Sequence, residues 1–203
     1  KRISVLSVPI DCVTMDEAVQ RILQLTEDPG LHLVATANAE MVMLANENPT
    51  LHTILNNASL VVPDGAGILW AAERQGEHVP ERVTGVDVTK RLFKVAAERQ
   101  IPVYCLGAAP GVAQRAIDNL SAQVGPLNIA GIHDGFFDST EEQEIVKAIS
   151  ESKAKLVFVA LGVPKQEQWI SEKLSHLDGV VAIGIGGSFD VLAGNIPRAP
   201  EWM

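Results

Sequence analysis

Cysteines and aromatic residues are scarce in this chain of 203 residues. Its two cysteines, Cys12 and Cys105, lie far apart without a C-x-x-C spacing, which argues against a zinc site or a redox pair. Only 4% of the residues are aromatic, although 47% are hydrophobic. Small and aliphatic residues therefore supply most of the core, as is typical of a parallel sheet covered by helices on both faces.

Basic residues and long apolar runs are also in short supply. The chain has 16 lysines and arginines against 25 aspartates and glutamates, and its net charge of -9 repels nucleic acid. We therefore expect no nucleic-acid partner. No apolar run approaches the roughly 20 residues that span a bilayer. The first apolar run, residues 3–8, is ended by Pro9 and Asp11, so we predict that residues 1–6 form a strand and not a signal peptide. We expect a cytoplasmic protein, soluble or peripheral to a membrane.

Motifs that would indicate a metal or a common cofactor are missing. The five histidines show no His-x-x-x-His spacing, and D-x-D, by which many sugar-nucleotide enzymes hold a divalent ion, does not occur. The G-x-G-x-x-G dinucleotide fingerprint is absent, and Ser188 does not lie in a G-x-S-x-G sequence. The sequence therefore predicts no metal and no cofactor, and disfavours nicotinamide oxidoreductases and serine hydrolases.

The chain alternates between short apolar runs and segments with helical spacing. This alternation predicts a single α/β domain over residues 1–203, with a mainly parallel, Rossmann-like sheet flanked by helices and a ligand groove at the C-terminal ends of the strands. Thr14 with Glu17, and Thr140 with Gln143, have the spacing of helix capping boxes. The predicted strands are residues 1–6, 31–36, 60–63, 103–106, 128–133, 156–161 and 180–185.

Asp64 lies where one of these strands meets the next helix. It follows the apolar residues 60–63 and precedes Gly65 and Gly67, after which helical spacing begins. Glycines let the backbone approach a ligand, and a helix start offers N–H groups to anions. The alternative is that Asp64 only caps the helix, since aspartate is a favoured N-cap residue.

Four later strands are each followed by glycine, at Gly107, Gly135, Gly162 and Gly186. Glycines at equivalent strand ends indicate a groove in which a ligand passes close to the backbone, although βα turns also need glycine for positive φ. Two further stretches carry polar side chains. Lys165 and Gln166 begin a helix beside this groove, where they could meet a phosphate or a sugar hydroxyl, and Arg82 lies in a glycine-bearing loop. The alternative is an ordinary solvated helix start for Lys165, Glu167 and Gln168, and a plain surface charge for Arg82.

Six motifs together resemble the bacterial WecG/TagA/CpsF glycosyltransferases, and the similarity covers essentially the whole chain. They are VPIDCVT at 8–14, TAN at 36–38, VPDG at 62–65, RVTGVD at 82–87, GVPKQE at 162–167 and GGSFD at 186–190. The resemblance implies transfer of N-acetylmannosamine, or a related sugar, from UDP to an undecaprenyl-diphosphate-linked acceptor. A non-catalytic nucleotide-binding or regulatory module is the alternative from another functional class.

The resemblance also assigns roles to residues. It implies that Asp64 is the catalytic base and that Thr36, Arg82 and Gln166 line the active site. UDP is then expected along the glycine groove, with Phe136 available to pack on the uracil. The substrate-binding residues expected on this basis are Asn38, Gly65, Gly107, Gly135, Phe136, Gly162, Lys165, Gly186 and Asp190.

The implied reaction moves N-acetylmannosamine from UDP-N-acetylmannosamine to undecaprenyl-diphosphate-linked GlcNAc, a step of teichoic acid linkage-unit synthesis in cell wall biogenesis. We expect inversion at the sugar, independence of metal, and a peripheral location at the inner face of the membrane. Residues 197–203 resemble the start of a further element, so we expect a basic, membrane-contacting C-terminal segment beyond this chain. The sequence leaves the oligomeric state open, with a homo-oligomer as one alternative.

Overall fold

A computed structural model of the chain describes residues 1–198. The chain begins with an antiparallel hairpin of β1 (Arg2–Val5) and β2 (Val8–Asp11). Leu6 and Ser7 form the two-residue turn with φ of 46° and 68°, the left-handed conformation that suits such hairpins. The strand predicted at residues 1–6 is thus confirmed as β1, but the return strand β2 was not predicted, because a local apolar run does not reveal a reversal of chain direction.

The remaining strands form one six-stranded sheet in which all neighbours are parallel, in the order β4-β3-β8-β7-β5-β6. This confirms the predicted fold class. The strands are β3 (Leu31–Ala37), β4 (Leu60–Pro63), β5 (Val103–Gly107), β6 (Ile129–His133), β7 (Leu156–Ala160) and β8 (Val180–Gly184). The helices of the described chain are α1 (Met15–Leu25), α2 (Ala39–Glu47), α3 (Pro49–Asn57), α4 (Ala66–Arg74), α5 (Gly85–Arg99), α6 (Val112–Val124), α7 (Ser139–Glu151), α8 (Lys165–Lys173) and α9 (Ser188–Leu192).

The helix starts follow from local capping chemistry. Thr14 accepts a hydrogen bond from the Glu17 N–H, and the Glu17 side chain accepts from Thr14, which confirms the predicted capping box of α1. The box predicted at Thr140 was wrong. Asp138 caps α7 instead, with Glu141 as its partner, because its extended backbone aims the carboxylate at the free N–H groups of the first turn. Helix α9 was not predicted, since five residues are too few to show a helical period.

Helices cover both faces of the sheet, and this arrangement creates a crevice. Met41 of α2, the helix that follows β3, belongs to the hydrophobic cluster on one face. Phe189 of α9, the helix that follows β8, belongs to the cluster on the other face. Because β3 and β8 are neighbours, the chain leaves their C-terminal ends towards opposite faces. Open α/β sheets bind ligands at such a point.

Asp11 ties the N-terminal hairpin to the main sheet. Its carboxylate is 2% exposed and accepts hydrogen bonds from the Arg2 side chain and from the N–H of Val61 in β4, the latter at 2.8 Å. Arg21 of α1 also pairs with it, at 3.3 Å. Burial alone would raise the pKa of Asp11, but the bonds from Arg2 and Val61 and the charges of both arginines outweigh it and leave the pKa lowered.

We expect Asp11→Asn to reduce the free energy of unfolding at pH 7 by about 3 kcal/mol, the lower end for a broken buried pair, because the arginines can regain water. A lowered native pKa stabilises the fold above the unfolded pKa, near 3.8. This stabilisation is lost as the pH falls through the native value. The difference between variant and wild type, measured by urea unfolding at pH 7 and pH 3, should therefore shrink at pH 3. A difference independent of pH would contradict the assignment.

Within residues 1–198, no helix has the length and hydropathy needed to span a bilayer. Residues 199–203, on which the expectation of a further C-terminal element largely depends, lie outside the described residues.

Candidate active site

A cavity of about 480 Å³ lies at the C-terminal ends of β4, β3 and β8, and we refer to it as the Asp64 cavity. It coincides with the crevice that the topology creates between β3 and β8. The residues that line it are Thr36, Asn38, Asp64, Gly65, Arg82, Thr84, Gly85, Val86, Val163, Gln166, Ile185, Gly186, Gly187, Ser188, Val191, Ile196, Pro197 and Arg198.

Asp64 lies directly after β4, and backbone contacts hold it in place. Its N–H donates to the carbonyl of Ala37 at 2.8 Å, which continues the pairing with β3. Its carboxylate Oδ2 accepts a hydrogen bond from the N–H of Gly85, the first residue of α5, at 2.9 Å. The alternative that Asp64 caps the next helix, α4, is not supported, since the N-cap position of α4 is Gly65 and has no side-chain cap.

Burial raises the pKa of the Asp64 carboxyl group above its ordinary value of 3.8. The hydrogen bond from Gly85 and the charge of Arg82 oppose this effect, whereas the charge of Asp87 adds to it. A carboxylate with a raised pKa is more basic than one in water, and it can take a proton from an attacking hydroxyl group. The site can therefore act as a general base.

Gly85 marks the centre of a cluster of oxygen atoms. A Cβ atom built on Gly85 would lie 3.3 Å from Ser188 Oγ, and 3.4 Å from both Asp64 Oδ2 and Thr36 Oγ1. Thr36 Oγ1 donates to the carbonyl of Gly184 at 3.1 Å, and Ser188 Oγ donates to that of Ile185 at 2.6 Å. The two hydroxyl groups thus have fixed orientations beside the carboxylate, and their lone pairs remain able to accept a bond from a ligand.

Gln166 approaches the cavity from the first turn of α8. Gln166 is 1% exposed, and its Oε1 accepts a hydrogen bond from the N–H of Gly186 at 3.0 Å. Its Nε2 donates to Glu167 Oε1 at 2.8 Å. The alternative of an ordinary solvated helix start is wrong for Glu167, which is 0% exposed.

The other predicted residues of the cavity have distinct local roles. Asn38 caps α2 by accepting from the N–H of Met41 at 2.9 Å. Gly65 has φ of 120° and ψ of 150°, a conformation that requires glycine. Arg82 lines the Asp64 cavity and also a neighbouring cavity of about 470 Å³ that Trp70 and Asp87 line. Thr84 and Arg198 border both spaces as well.

The structure places the remaining predicted residues outside the lining of this cavity. Gly107 is the last residue of β5, and Gly135 and Gly162 lie two residues after β6 and β7. These strands lie side by side next to β8, so the predicted row of strand ends exists. A Cβ on Gly107 would lie 2.2 Å from the carbonyl oxygen of Ala160, so sheet packing alone requires this glycine. Asp190 lies in α9 and is half-buried.

Phe136 and Lys165 lie just after the C-terminal ends of β6 and β7. The Phe136 side chain is 71% exposed. Lys165 extends its Nζ over the ring of Phe137, 5.4 Å from the ring centroid, a cation–π contact. A third cavity, of about 320 Å³, lies nearby at the ends of β5 and β6, where Gly111 and His133 line it. A nucleotide groove along these strand ends stays a prediction.

A larger groove, of about 840 Å³, lies at the opposite end of the sheet between α1 and α5. Its acidic residues, Asp16 and Glu27, are exposed to solvent. Asp64 is half-buried and its pKa is raised, which is the feature expected of a reacting group. We therefore take the Asp64 cavity, and not the larger groove, as the candidate active site.

Sequence reasoning missed Gly85, Ser188 and Glu167 as contributors to the site. All three lie within motifs of the family resemblance, which was the available signal for them. Glu167 is 0% exposed, and burial raises its pKa to about 7, partly opposed by the bonds from Gln166 and its own N–H. Among residues 1–198, no group of three or more His, Cys, Asp or Glu side chains is placed to hold a metal ion.

The buried Glu167 predicts a pH dependence of stability. Its raised pKa means that the native state keeps a proton that the unfolded chain has lost, so the free energy of unfolding falls as the pH rises from 4.5 to about 7. Glu167→Gln removes this effect. Relative to wild type, the variant should gain on the order of 3 kcal/mol between pH 4 and pH 8 in urea unfolding. An equal difference at both pH values would show that Glu167 titrates normally.

Comparison with known proteins identifies the family. A sequence model described as the Glycosyl transferase WecG/TagA/CpsF family matches residues 3–203. This chain belongs to that family. The predicted resemblance is thus confirmed, and with it the assignment to the glycosyltransferases. Family membership argues against the alternative of a non-catalytic nucleotide-binding module.

Individual relatives share about a third of the sequence. One from Bacillus subtilis (strain 168) is 32% identical, over 84% of this chain and 66% of the relative. One from Bacillus spizizenii is 34% identical, over 88% and 72% respectively. One from Staphylococcus aureus (strain NCTC 8325 / PS 47) is 31% identical, over 98% of this chain and 78% of the relative. Each is named N-acetylglucosaminyldiphosphoundecaprenol N-acetyl-beta-D-mannosaminyltransferase. This chain thus matches between two thirds and four fifths of their length.

Proposed function

We propose that this chain transfers N-acetylmannosamine from UDP-N-acetylmannosamine to undecaprenyl-diphosphate-linked GlcNAc, with inversion at the sugar. The names of its relatives support the acceptor, the sugar and the β-linkage of the product. The observation that carries the proposal is the half-buried Asp64 carboxylate at the end of β4, with a raised pKa and a cavity in front of it.

One carboxylate is sufficient for this chemistry. The acceptor hydroxyl oxygen attacks the anomeric carbon of the α-linked donor. The bond between that carbon and the UDP oxygen breaks, and a β-linkage results. Asp64 takes the proton that the acceptor oxygen loses. The Gly85 N–H orients the carboxylate from one side, while Thr36 and Ser188 lie within reach of the same space. UDP leaves with the electron pair as an anion.

The leaving UDP needs positive partners, which this acidic chain has in limited supply. Arg82 and Arg198 border both the Asp64 cavity and its neighbour, so they lie where developing negative charge could be stabilised. We propose that the UDP moiety extends from the Asp64 cavity past Gly186 and Gly162 towards the ends of β5 and β6. In that position the exposed Phe136 is available to the uracil ring.

The acceptor carries a polyprenyl chain, and this requires contact with a membrane. We propose a peripheral location at the inner face of the membrane, where UDP-sugars are present. A basic segment that follows residue 203 would supply the attraction to anionic lipid, since the net charge of these 203 residues is -9.

A transfer assay with matched donors tests the proposal. The longest available form of the protein is incubated with UDP-N-acetylmannosamine or UDP-GlcNAc and with a prenyl-diphosphate-GlcNAc acceptor in vesicles. The expected result is a disaccharide product from the first donor, with UDP release equal to product and unaffected by EDTA. Titrations with UDP and NAD should show binding of UDP alone. Equal use of both donors, or binding of NAD instead of UDP, would overturn the proposal.

A further inference from the structure

Behind the Asp64 cavity lies a buried pair of polar side chains, Gln166 and Glu167. Both belong to the first turn of α8, and they are 1% and 0% exposed. They pack directly on the backbone of β8. A Cβ on Gly184 would lie 2.8 Å from both Gln166 Nε2 and Glu167 Oε1, so a glycine in this strand makes room for them. Only Gln166 reaches the cavity lining.

The contacts of Gln166 determine which way its amide group points. The backbone N–H of Gly186 can only donate, so the amide atom 3.0 Å from it is the oxygen. The nitrogen therefore faces the other way, where Glu167 Oε1 accepts its hydrogen bond at 2.8 Å. One N–H and one oxygen lone pair of the amide remain for a ligand, in positions that these two bonds decide.

Glu167 makes this contact at a cost. Its second oxygen, Oε2, is buried without a hydrogen-bond partner among the described residues. A buried carboxyl group with an unpaired oxygen destabilises a fold, and an aliphatic side chain of similar size would avoid the penalty. Because Glu167 destabilises the fold, we look for its role outside stability. The side-chain hydrogen bond that it makes is the one from Gln166.

We propose that Glu167 is a positioning residue that holds the Gln166 amide in the orientation needed to contact substrate in the Asp64 cavity. The inference deepens the proposed transferase function and relies on it for the kinetic measurement. Glu167 itself touches no reacting atom. It acts through Gln166, while the Gly186 N–H fixes the other side of the same amide group.

Two substitutions of similar size separate positioning from packing. Glu167→Gln retains an oxygen that can accept from Gln166, whereas Glu167→Met fills the space without an acceptor. We expect Glu167→Met to lower kcat/KM about 10- to 100-fold, as misplaced substrate-contacting groups do, and Glu167→Gln to recover most of the loss. In a Gln166→Ala background, Glu167→Met should lower kcat/KM by less than about twofold, because the effects of two substitutions that act through one contact do not add.

A matched control tests whether any loosening of α8 has the same effect. Glu142 accepts a hydrogen bond from Trp169 Nε1 of α8 at 2.9 Å and pairs with Lys173 at 2.8 Å. Glu142→Met removes a carboxylate that anchors the same helix but does not contact Gln166. We expect this variant to lose stability in thermal unfolding while its kcat/KM falls much less than that of Glu167→Met.

The side-chain amide signals of Gln166 in ¹⁵N NMR spectra, assigned by their loss in Gln166→Ala, give a readout that needs no activity. They should move in Glu167→Met and stay near their wild-type positions in Glu167→Gln and Glu142→Met. Unmoved signals in Glu167→Met, additive kinetic losses, or equal losses in Glu167→Gln would each overturn the proposal. If the protein proves inactive as a transferase, the NMR result still decides whether Glu167 orients Gln166.

Discussion

We expect Asp64→Asn to lower the transfer rate by about 100- to 10,000-fold, the range for removal of a general base, while the affinity for UDP stays close to that of wild type. The asparagine side chain retains an oxygen that can accept from the Gly85 N–H, so the local structure should persist. It cannot take a proton from the acceptor, however. Steady-state kinetics and calorimetric titration with UDP measure the two quantities separately.

The matched control is the same substitution at Asp138, which caps α7 away from the Asp64 cavity. Asparagine is also a good N-cap residue, so Asp138→Asn should leave both stability and transfer nearly unchanged. A normal rate in Asp64→Asn would mean that Asp64 is not a base and only accepts a hydrogen bond from the start of α5. Loss of UDP binding together with activity would instead indicate that Asp64 contacts the donor.

The pH dependence gives a second measure of the same role. Only the ionised carboxylate can act as a base, so the rate should fall as the pH drops through the native pKa of Asp64. Burial raises that pKa, so the fall should begin above the ordinary value of 3.8. The profile should keep its acid limb in Glu167→Gln, which removes a second carboxyl group whose pKa is raised. An acid limb below 3.8 would contradict a base whose pKa is raised.

Gly85→Ala should also reduce transfer strongly, by about 10- to 100-fold. The added Cβ would lie 3.3–3.4 Å from Ser188 Oγ, Asp64 Oδ2 and Thr36 Oγ1, so these oxygens must shift by a few tenths of an ångström to accept it. Shifts in reacting groups are costly to rate even when they are small. Stability should change little, because alanine favours a helix more than glycine does. Kinetics and thermal unfolding of the same variant measure both effects.

Gly187 offers the comparison, since it lines the same cavity but a Cβ on it would meet no atom within 4 Å. Gly187→Ala therefore adds a methyl group to the cavity without moving the three oxygens, and its rate should fall far less. Similar losses in both variants would mean that cavity volume, and not the geometry around Asp64, limits the reaction.

Much of the fold could be predicted because the signals are local. Apolar runs followed by helical spacing located the strands from β3 to β8, and the Thr14 capping box located the start of α1. The errors have a physical cause too. The hairpin of β1 and β2 turns at Leu6 and Ser7, which have positive φ although neither is a glycine, so the sequence carries no turn signal there. The cap of α7 depends on backbone shape rather than on spacing alone.

The candidate site was predicted in part for the same reason. Asp64 could be placed at a strand end from its neighbours, and motif resemblance supplied Thr36, Arg82 and Gln166. The structure brings these residues together around one cavity, while Gly107, Phe136 and Lys165 lie outside its lining. The strand order β4-β3-β8-β7-β5-β6 determines which strand ends are neighbours, and no local sequence signal predicts this order.

The sequence by itself determined the class of fold, the family and the position of a carboxylate at a strand end, because each follows from residues close together in the chain. The tertiary structure alone decided which partners these residues have. Gly85 reaches Asp64 across 21 positions, and Thr36 reaches Gly184 across 148. The burial that raises the pKa of Asp64 and Glu167 likewise comes from elements packed around them. Burial and pairing are properties of packing between distant segments, and only the folded chain brings those segments together.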